Sequence, residues 1–121
     1  MGLNRMIDEI KRMPGFADHV GMLLCHEGVV RSWSRDKRES VSAVRVEVDQ
    51  SRVEELRQQF EDHPGIFKVA IETEEGLRYP GDELLRLVVA GDIRENVIPA
   101  LTELLDRMKG EAIHKEEEAS E

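Results

Sequence analysis

One stretch of this chain, Leu84 to Ala90, is nearly all apolar, and it constrains everything else. A strand without a polar side has to be covered on both faces, so this segment is predicted as the centre of a sheet with helices over it. The helices available for that task are amphipathic. Leu3, Met6, Ile7, Ile10 and Met13 form a helical stripe within residues 1–14, stopped by Pro14-Gly15. Ser51 and Glu54 have the spacing of a capping box before Val53, Leu56 and Phe60, and His63-Pro64-Gly65 ends that helix. Val97, Ile98, Leu101, Leu104, Leu105 and Met108 form the last stripe, with Asp92 and Glu95 predicted at its N-cap and Gly110 at its end. Pro99 lies inside that stripe and lacks a backbone donor, which predicts a kink or a shifted start.

The remaining strands are shorter or half-buried. Residues 19–33 read as one long strand bent at Gly28. In residues 41–48, Val44, Val46 and Val48 alternate with Arg45 and Glu47, the pattern of a half-buried strand. The two are predicted to form a hairpin with the polar run Ser34 to Ser40 at its tip. Ile66 to Thr73 is predicted as a strand with Phe67, Val69 and Ile71 on one face. Tyr79-Pro80-Gly81-Asp82 places Pro and Gly where a type II turn needs them. Hairpins outnumber crossovers in this order. The fold class is therefore α+β, a mainly antiparallel sheet with flanking helices, in a single domain over residues 1–121. From 111 to 121 the chain is polar and acidic and is predicted to be mobile in isolation.

Composition narrows the function classes. The formal net charge is −9, which argues against a nucleic-acid partner, since phosphate neutralisation needs a basic face. No signal peptide and no membrane-spanning run are predicted, which gives a cytoplasmic location as the expectation. The single cysteine, Cys25, lies in an apolar run and reads as a buried thiol in a reducing compartment. His19, His26, His63 and His114 lack metal-ligand spacing, so no metal and no cofactor are expected. His26 and Glu27, adjacent on a strand, point to opposite faces.

Within this acidic chain the cations are uneven. Arg31, Arg35, Lys37 and Arg38 lie close together, while Glu116, Glu117, Glu118 and Glu121 crowd the terminus. A local basic cluster serves a small anion without attracting polyanions. Arg94 falls in the first turn of the last helix, where free N–H groups favour an anion and a guanidinium adds bidentate donors. Lys109 ends the same helix and Lys115 follows it. If both converge on a partly buried pocket, desolvation and neighbouring cations lower a lysine's pKa and expose its lone pair.

These segments, taken in order, resemble the large subunit of molybdopterin synthase, the MoaE family. Gly28-Val29-Val30-Arg31 is similar to its Gly-x-Val-Arg segment, and Val46-Glu47-Val48 to its hydrophobic-Glu-aromatic strand. Gly76 to Glu83 matches its Pro-Gly-Asp/Glu turn. Val88 to Arg94 parallels its strand ending in Ser-x-His-Arg. Leu105 to Lys109 and Lys115-Glu116 resemble its two lysine elements. The resemblance covers about residues 20 to 117. It implies an α/β-hammerhead fold, a homodimer, and a ubiquitin-like sulfur-carrier partner whose tail ends in a thiocarboxylate. It also implies sulfur transfer to cyclic pyranopterin monophosphate, forming the dithiolene of molybdopterin. Carried over by position, Arg31 and Arg94 would bind the substrate's anionic groups. Lys109 and Lys115 would be the catalytic acid–base and electrostatic groups.

The chain departs from the family pattern at several positions. Ile93 stands where the family has histidine before the arginine, and His114 where it has tryptophan before the second lysine. His26-Glu27-Gly28 replaces an aromatic-x-Gly, and Val48 an aromatic. A proline before the tryptophan position is missing, and the Lys109–Lys115 spacing is one residue shorter. These departures define a second reading, a non-catalytic dimeric module binding a small anion or a sulfur carrier.

Overall fold

A computed structural model describes residues 2–36 and 40–119. Its elements are α1 (Leu3–Lys11), α2 (Phe16–His19), β1 (Met22–Val29), β2 (Val41–Val48), α3 (Gln50–Glu61), β3 (Ile66–Thr73), β4 (Gly76–Arg78), β5 (Glu83–Gly91), α4 (Arg94–Glu111) and β6 (Ile113–Ala119). They form two antiparallel three-stranded sheets, β1-β5-β3 and β4-β2-β6. This is the α+β class with flanking helices.

The apolar segment is the central strand of the first sheet. Leu85 to Gly91 are all buried, and Leu87, Val88, Val89 and Ala90 have no solvent exposure. Alternation sorts its side chains to two cores. Leu85, Leu87 and Val89 pack with Leu56 and Phe60 of α3 and Val97, Leu104 and Met108 of α4. Val88 and Ala90 face the other way, against Met6 and Ile10 of α1. A third cluster, Val30, Val41, Val44 and Val46, lies under the second sheet.

Arg86 breaks the apolar run, yet it is only 5% exposed. It extends the α1-side face beyond the reach of α1. There its Nε donates to Glu72 at 2.9 Å, one Nη to Glu74 at 2.9 Å, and the other to Glu83. These carboxylates hold the guanidinium above its ordinary pKa, Glu74 first, against desolvation. Glu27, paired opposite Arg86, joins the cluster through Glu83, whose hydrogen bond pushes the Glu27 carboxyl up.

Several expectations need correction. β1 and β2 are not a hairpin. After a bulge between Gly28 and Val29, the chain turns onto the Tyr79–Asp82 turn, where Val30 N donates to Asp82 O at 2.9 Å. It then enters the other sheet. The residues that follow β1 meet the start of β2 through the Trp33–Ser40 bridge and a bond from Val41 N to Ser32 O at 2.9 Å. β1 is shorter than expected because Phe16–His19 are helical. Cys25 is exposed rather than buried, since it lies on the α1 face of the sheet, in line with Leu23, at a point α1 does not cover. Phe67 packs toward α1 while Val69 and Ile71 face α3 and α4, because a bulge between Ile66 and Lys68 shifts the alternation. Asp49, not Ser51, caps α3 by accepting from Arg52 N at 3.1 Å. α4 runs through Pro99 with Ile93 as its N-cap, and Asp92 instead accepts from Ile93 N and Asn96 Nδ2.

The acidic segment expected to be mobile carries a strand. β6 pairs with β2 over Val41–Val48, and its Ile113 reaches both the main core and the second-sheet cluster. The Tyr79–Asp82 turn is as expected: Gly81 has φ 93° and Asp82 N donates to Tyr79 O at 2.8 Å. Lys37, Arg38 and Glu121 lie outside the described residues.

Removing the Arg86 guanidinium leaves its acidic partners crowded and unpaired. Arg86→Met is expected to destabilise the fold by about 3 kcal/mol in urea denaturation. Leu77→Met, at a partly exposed site on β4, is expected to stay within about 0.5 kcal/mol of wild type.

Candidate functional site

α4 packs against β1 and runs antiparallel to β5, so its C-terminus returns to the end of the sheet where β1 hands the chain to Arg31. β6 follows α4 after Ala112 and lies beside β2. Three chain segments meet there: the residues after β1, the end of α4 and the start of β6. They carry Arg31, Lys109 and Lys115.

Lys115 follows Ile113 on one side of β6 and pairs with buried Val46. That position sets its electrostatics. The ammonium is pushed below the ordinary lysine pKa, first by partial desolvation, then by the charges of Lys109, Arg31 and Arg35, with Glu117 opposing. Lys109, Lys115, Arg31 and Arg35 thus form one electrostatic group. Arg31 stacks over the Trp33 ring at 4.6 Å from its centroid, which orients the guanidinium without a carboxylate. Trp33 itself is an exposed aromatic beside that cation.

One nearby acid is engaged elsewhere. Glu111, two residues after Lys109, accepts from Arg107 and Arg52. Those bonds, Arg107 first, hold its carboxyl at about 2. None of the ion pairs among the described residues engages Lys109, Lys115 or Arg31. A cleft of about 370 Å³ opens between the end of α4 and β2, lined by Glu47, Asp49, Lys109 and His114 among others.

Arg94 is not part of this group. It lies at the opposite end of α4, about 22 Å from Lys109 at 1.5 Å per residue, with its side chain 80% exposed beside Glu95. Glu27 belongs to the Arg86 cluster on the other face of the sheet. His26 points to the α4 side, and Lys109 acts on it electrostatically. Arg35 comes from the basic run after β1 that the sequence offered for a small anion; His26 is a neighbour of the site that the sequence did not nominate, and strand parity was the available signal for it. Among the described residues, no cluster of three or more His, Cys, Asp or Glu is placed to hold a metal ion. No helix is long and apolar enough to cross a membrane.

The family model described as MoaE protein matches residues 3–111. The chain belongs to the MoaE family. That is the family of molybdopterin synthase large subunits, which places the protein in molybdenum cofactor biosynthesis. Among solved structures, the molybdopterin biosynthesis MoaE protein of Burkholderia ambifaria MC40-6 is 23% identical over 98% of this chain and 82% of its own, with a TM-score of 0.75. The molybdopterin synthase of Staphylococcus aureus is 18% identical over 84% and 77%, with a TM-score of 0.72. The complex of subunits 1 and 2 of the Helicobacter pylori molybdopterin-converting factor is 16% identical over 94% and 77%, with a TM-score of 0.68. At these identities the structures attest the fold. No curated protein matches the chain. The family match ends before β6, so Lys115 enters the site through the geometry of β6 alone.

If the cations depress Lys115 together, removing one relaxes it. In a side-chain nitrogen-detected NMR titration, Lys115 is expected to titrate below the ordinary lysine value, and Lys109→Ala is expected to move Lys115 upward. An unchanged Lys115 in that variant would break the electrostatic group apart.

Proposed function

We propose that this protein is a working sulfur-transferring subunit. On this reading it moves sulfur from a thiocarboxylated carrier to cyclic pyranopterin monophosphate at the Lys109–Lys115–Arg31 cluster. The observation that carries the reading is the meeting of these cations from separate segments of a chain whose net charge is −9, with Glu111 beside them held by Arg107 and Arg52. Both reactants are anions. Two unit charges 4 Å apart repel by about 4 kcal/mol at an effective dielectric of 20, and that repulsion has to be cancelled before sulfur can approach carbon. Lys109 and Lys115 supply the compensating charge and stabilise the oxyanion that develops as bonds change. Lys115, its pKa lowered first by desolvation and then by the neighbouring cations, serves as the proton-transfer group. Arg31, oriented by Trp33, holds the substrate phosphate.

The proposed carrier is the small-subunit partner, as in the Helicobacter pylori complex of two subunits. Its flexible tail needs only an open approach to the cations. Arg94 requires a second copy of the chain. At about 22 Å along α4 it cannot serve the lysines of its own protomer, but a partner protomer can present it there. Ile93 and Ile98, 53% and 46% exposed on either side of Arg94, are the apolar surface such a partner would cover. The departures at Ile93, Glu27 and His114 remove none of the proposed cations, so the catalytic reading is preferred to a purely binding module.

In a reconstituted assay with thiocarboxylated carrier and cyclic pyranopterin monophosphate, Lys109→Ala is expected to lose dithiolene formation by about a hundred-fold or more, with unchanged circular dichroism. Mixing Lys109→Ala with Arg94→Ala protomers is expected to restore activity that neither variant has alone. Full activity in Lys109→Ala would remove the mechanism, and a failure of mixing would remove the shared site.

A further inference from the structure

A thiocarboxylate that has delivered its sulfur to carbon leaves that sulfur bound on both sides, to the carrier's acyl carbon and to the substrate. Freeing the product therefore requires water at the acyl carbon, and water requires a base. This chemistry rests on the sulfur-transfer reading above. One residue beside the lysines is placed for it and has no other role in the structure.

His26 lies on β1, on the same face as Met22 and Leu24, which pack into the core under α3 and α4. Its side chain is half-buried at the level of α4. The next position on that face is Gly28. A Cβ at Gly28 would stand 3.6 Å from His26 Nε2, so the ring leans along the strand over the glycine, toward the end where Arg31 emerges. No hydrogen bond within the described residues engages either ring nitrogen. Its neighbours in β5, Leu87 opposite and Leu85 on the diagonal, are apolar. The charged group that faces it from α4 is Lys109. Glu27, the adjacent carboxylate, is on the far side of the sheet with Arg86. His26 is thus an imidazole with a free nitrogen, aimed toward the cation cluster and with no acid to hold a second proton on it.

We propose that His26 is the general base for the water that releases the carrier. Water gives a proton to the imidazole nitrogen as its oxygen bonds to the acyl carbon. The acyl C–S bond breaks, sulfur leaves on the pterin as thiolate, and the carrier departs as a carboxylate. The new carboxyl gives the water's second proton to solvent, and the imidazolium then returns the first. No oxidant or reductant enters the step. Burial and the charge of Lys109 both push the His26 pKa below its ordinary value, which keeps the ring in the base form at neutral pH.

The test follows the carrier by intact-mass spectrometry during reaction with cyclic pyranopterin monophosphate, using wild type, His26→Phe, His26→Gln and Lys109→Ala. Wild type is expected to form a carrier–substrate adduct transiently. His26→Phe is expected to form it at the wild-type rate and to clear it about a hundred-fold more slowly. His26→Gln, which keeps polarity without a base, is expected to stall likewise. Clearance by wild type should fall as pH drops through the imidazole titration, and His26→Phe should lack that limb. Clearance at the wild-type rate and with the wild-type pH profile in either variant would overturn the assignment. Absence of adduct and product with wild type would instead overturn the sulfur-transfer reading and this step with it. Adduct with wild type but not with Lys109→Ala would support that reading independently of His26.

Discussion

β5 has no side that water reaches along most of its length, and the structure is the set of elements needed to satisfy that strand. Its backbone groups pair on both edges, with β1 and β3. Its odd positions require α3 and α4, and its even positions require α1. Burial of this kind is worth about 1.5–3 kcal/mol for each large aliphatic side chain, so four residues with no exposure outweigh any local preference of the flanking segments. Function inherits that arrangement. A helix laid antiparallel on β5 must return its C-terminus to the end where β1 leaves the sheet. That is why Lys109 meets Arg31, and why Arg94, at the other end of the same helix, does not.

The acidic excess of the chain is compatible with a cationic site because acids and arginines are sorted into closed groups. Arg86 gathers Glu72, Glu74 and Glu83; Arg57 takes Glu54 and Glu61; Arg52 and Arg107 share Glu111. Each group uses guanidinium forks, whose planar donors match carboxylates two at a time. The lysines, compact point charges with weaker geometric demands, are left for the site. The sorting is also spatial. Glu27 and His26 are neighbours in sequence, but the sheet separates them, so the carboxylate supports Arg86 and the imidazole faces Lys109.

The legible parts were those in which side-chain pattern and burial agree. The central strand, the three amphipathic helices, the bulge near Gly28 and the turn at Gly81 follow from local chemistry. The roles of Lys109, Lys115 and Arg31 came from resemblance, and the sequence could not show whether the two lysines converge. Other features depend on partners distant in sequence. The residues of β6, Ile113 to Ala119, have neither alternation nor β propensity; they form a strand because β2 offers a free edge with Val44 and Val46 beneath it. The hairpin expectation failed because β1 finds a more apolar partner in β5 than in β2. Arg86 looked like an interruption, since a charge in an apolar run gives no sign that three carboxylates wait on adjacent segments. The exposure of Cys25 depends on α1 ending short of it, which no pattern in β1 records.

The departures from the family pattern acquire a physical sense once the two ends of α4 are distinguished. The histidine position beside Arg94 is Ile93, an exposed apolar residue at the helix start. Imidazoles instead stand at His26 and His114, both at the Lys109 end, one facing α4 and the other lining the cleft with Lys109. Losing a polar group at Arg94 lowers the desolvation cost of covering that end, because burying an isoleucine needs no hydrogen-bond partner. Placing imidazole near Lys109 puts a further proton-accepting side chain within the protomer that holds that lysine. The exchange makes one end of α4 better suited to contact and the other better suited to proton transfer, so divergence at the individual motifs is compatible with the same chemistry.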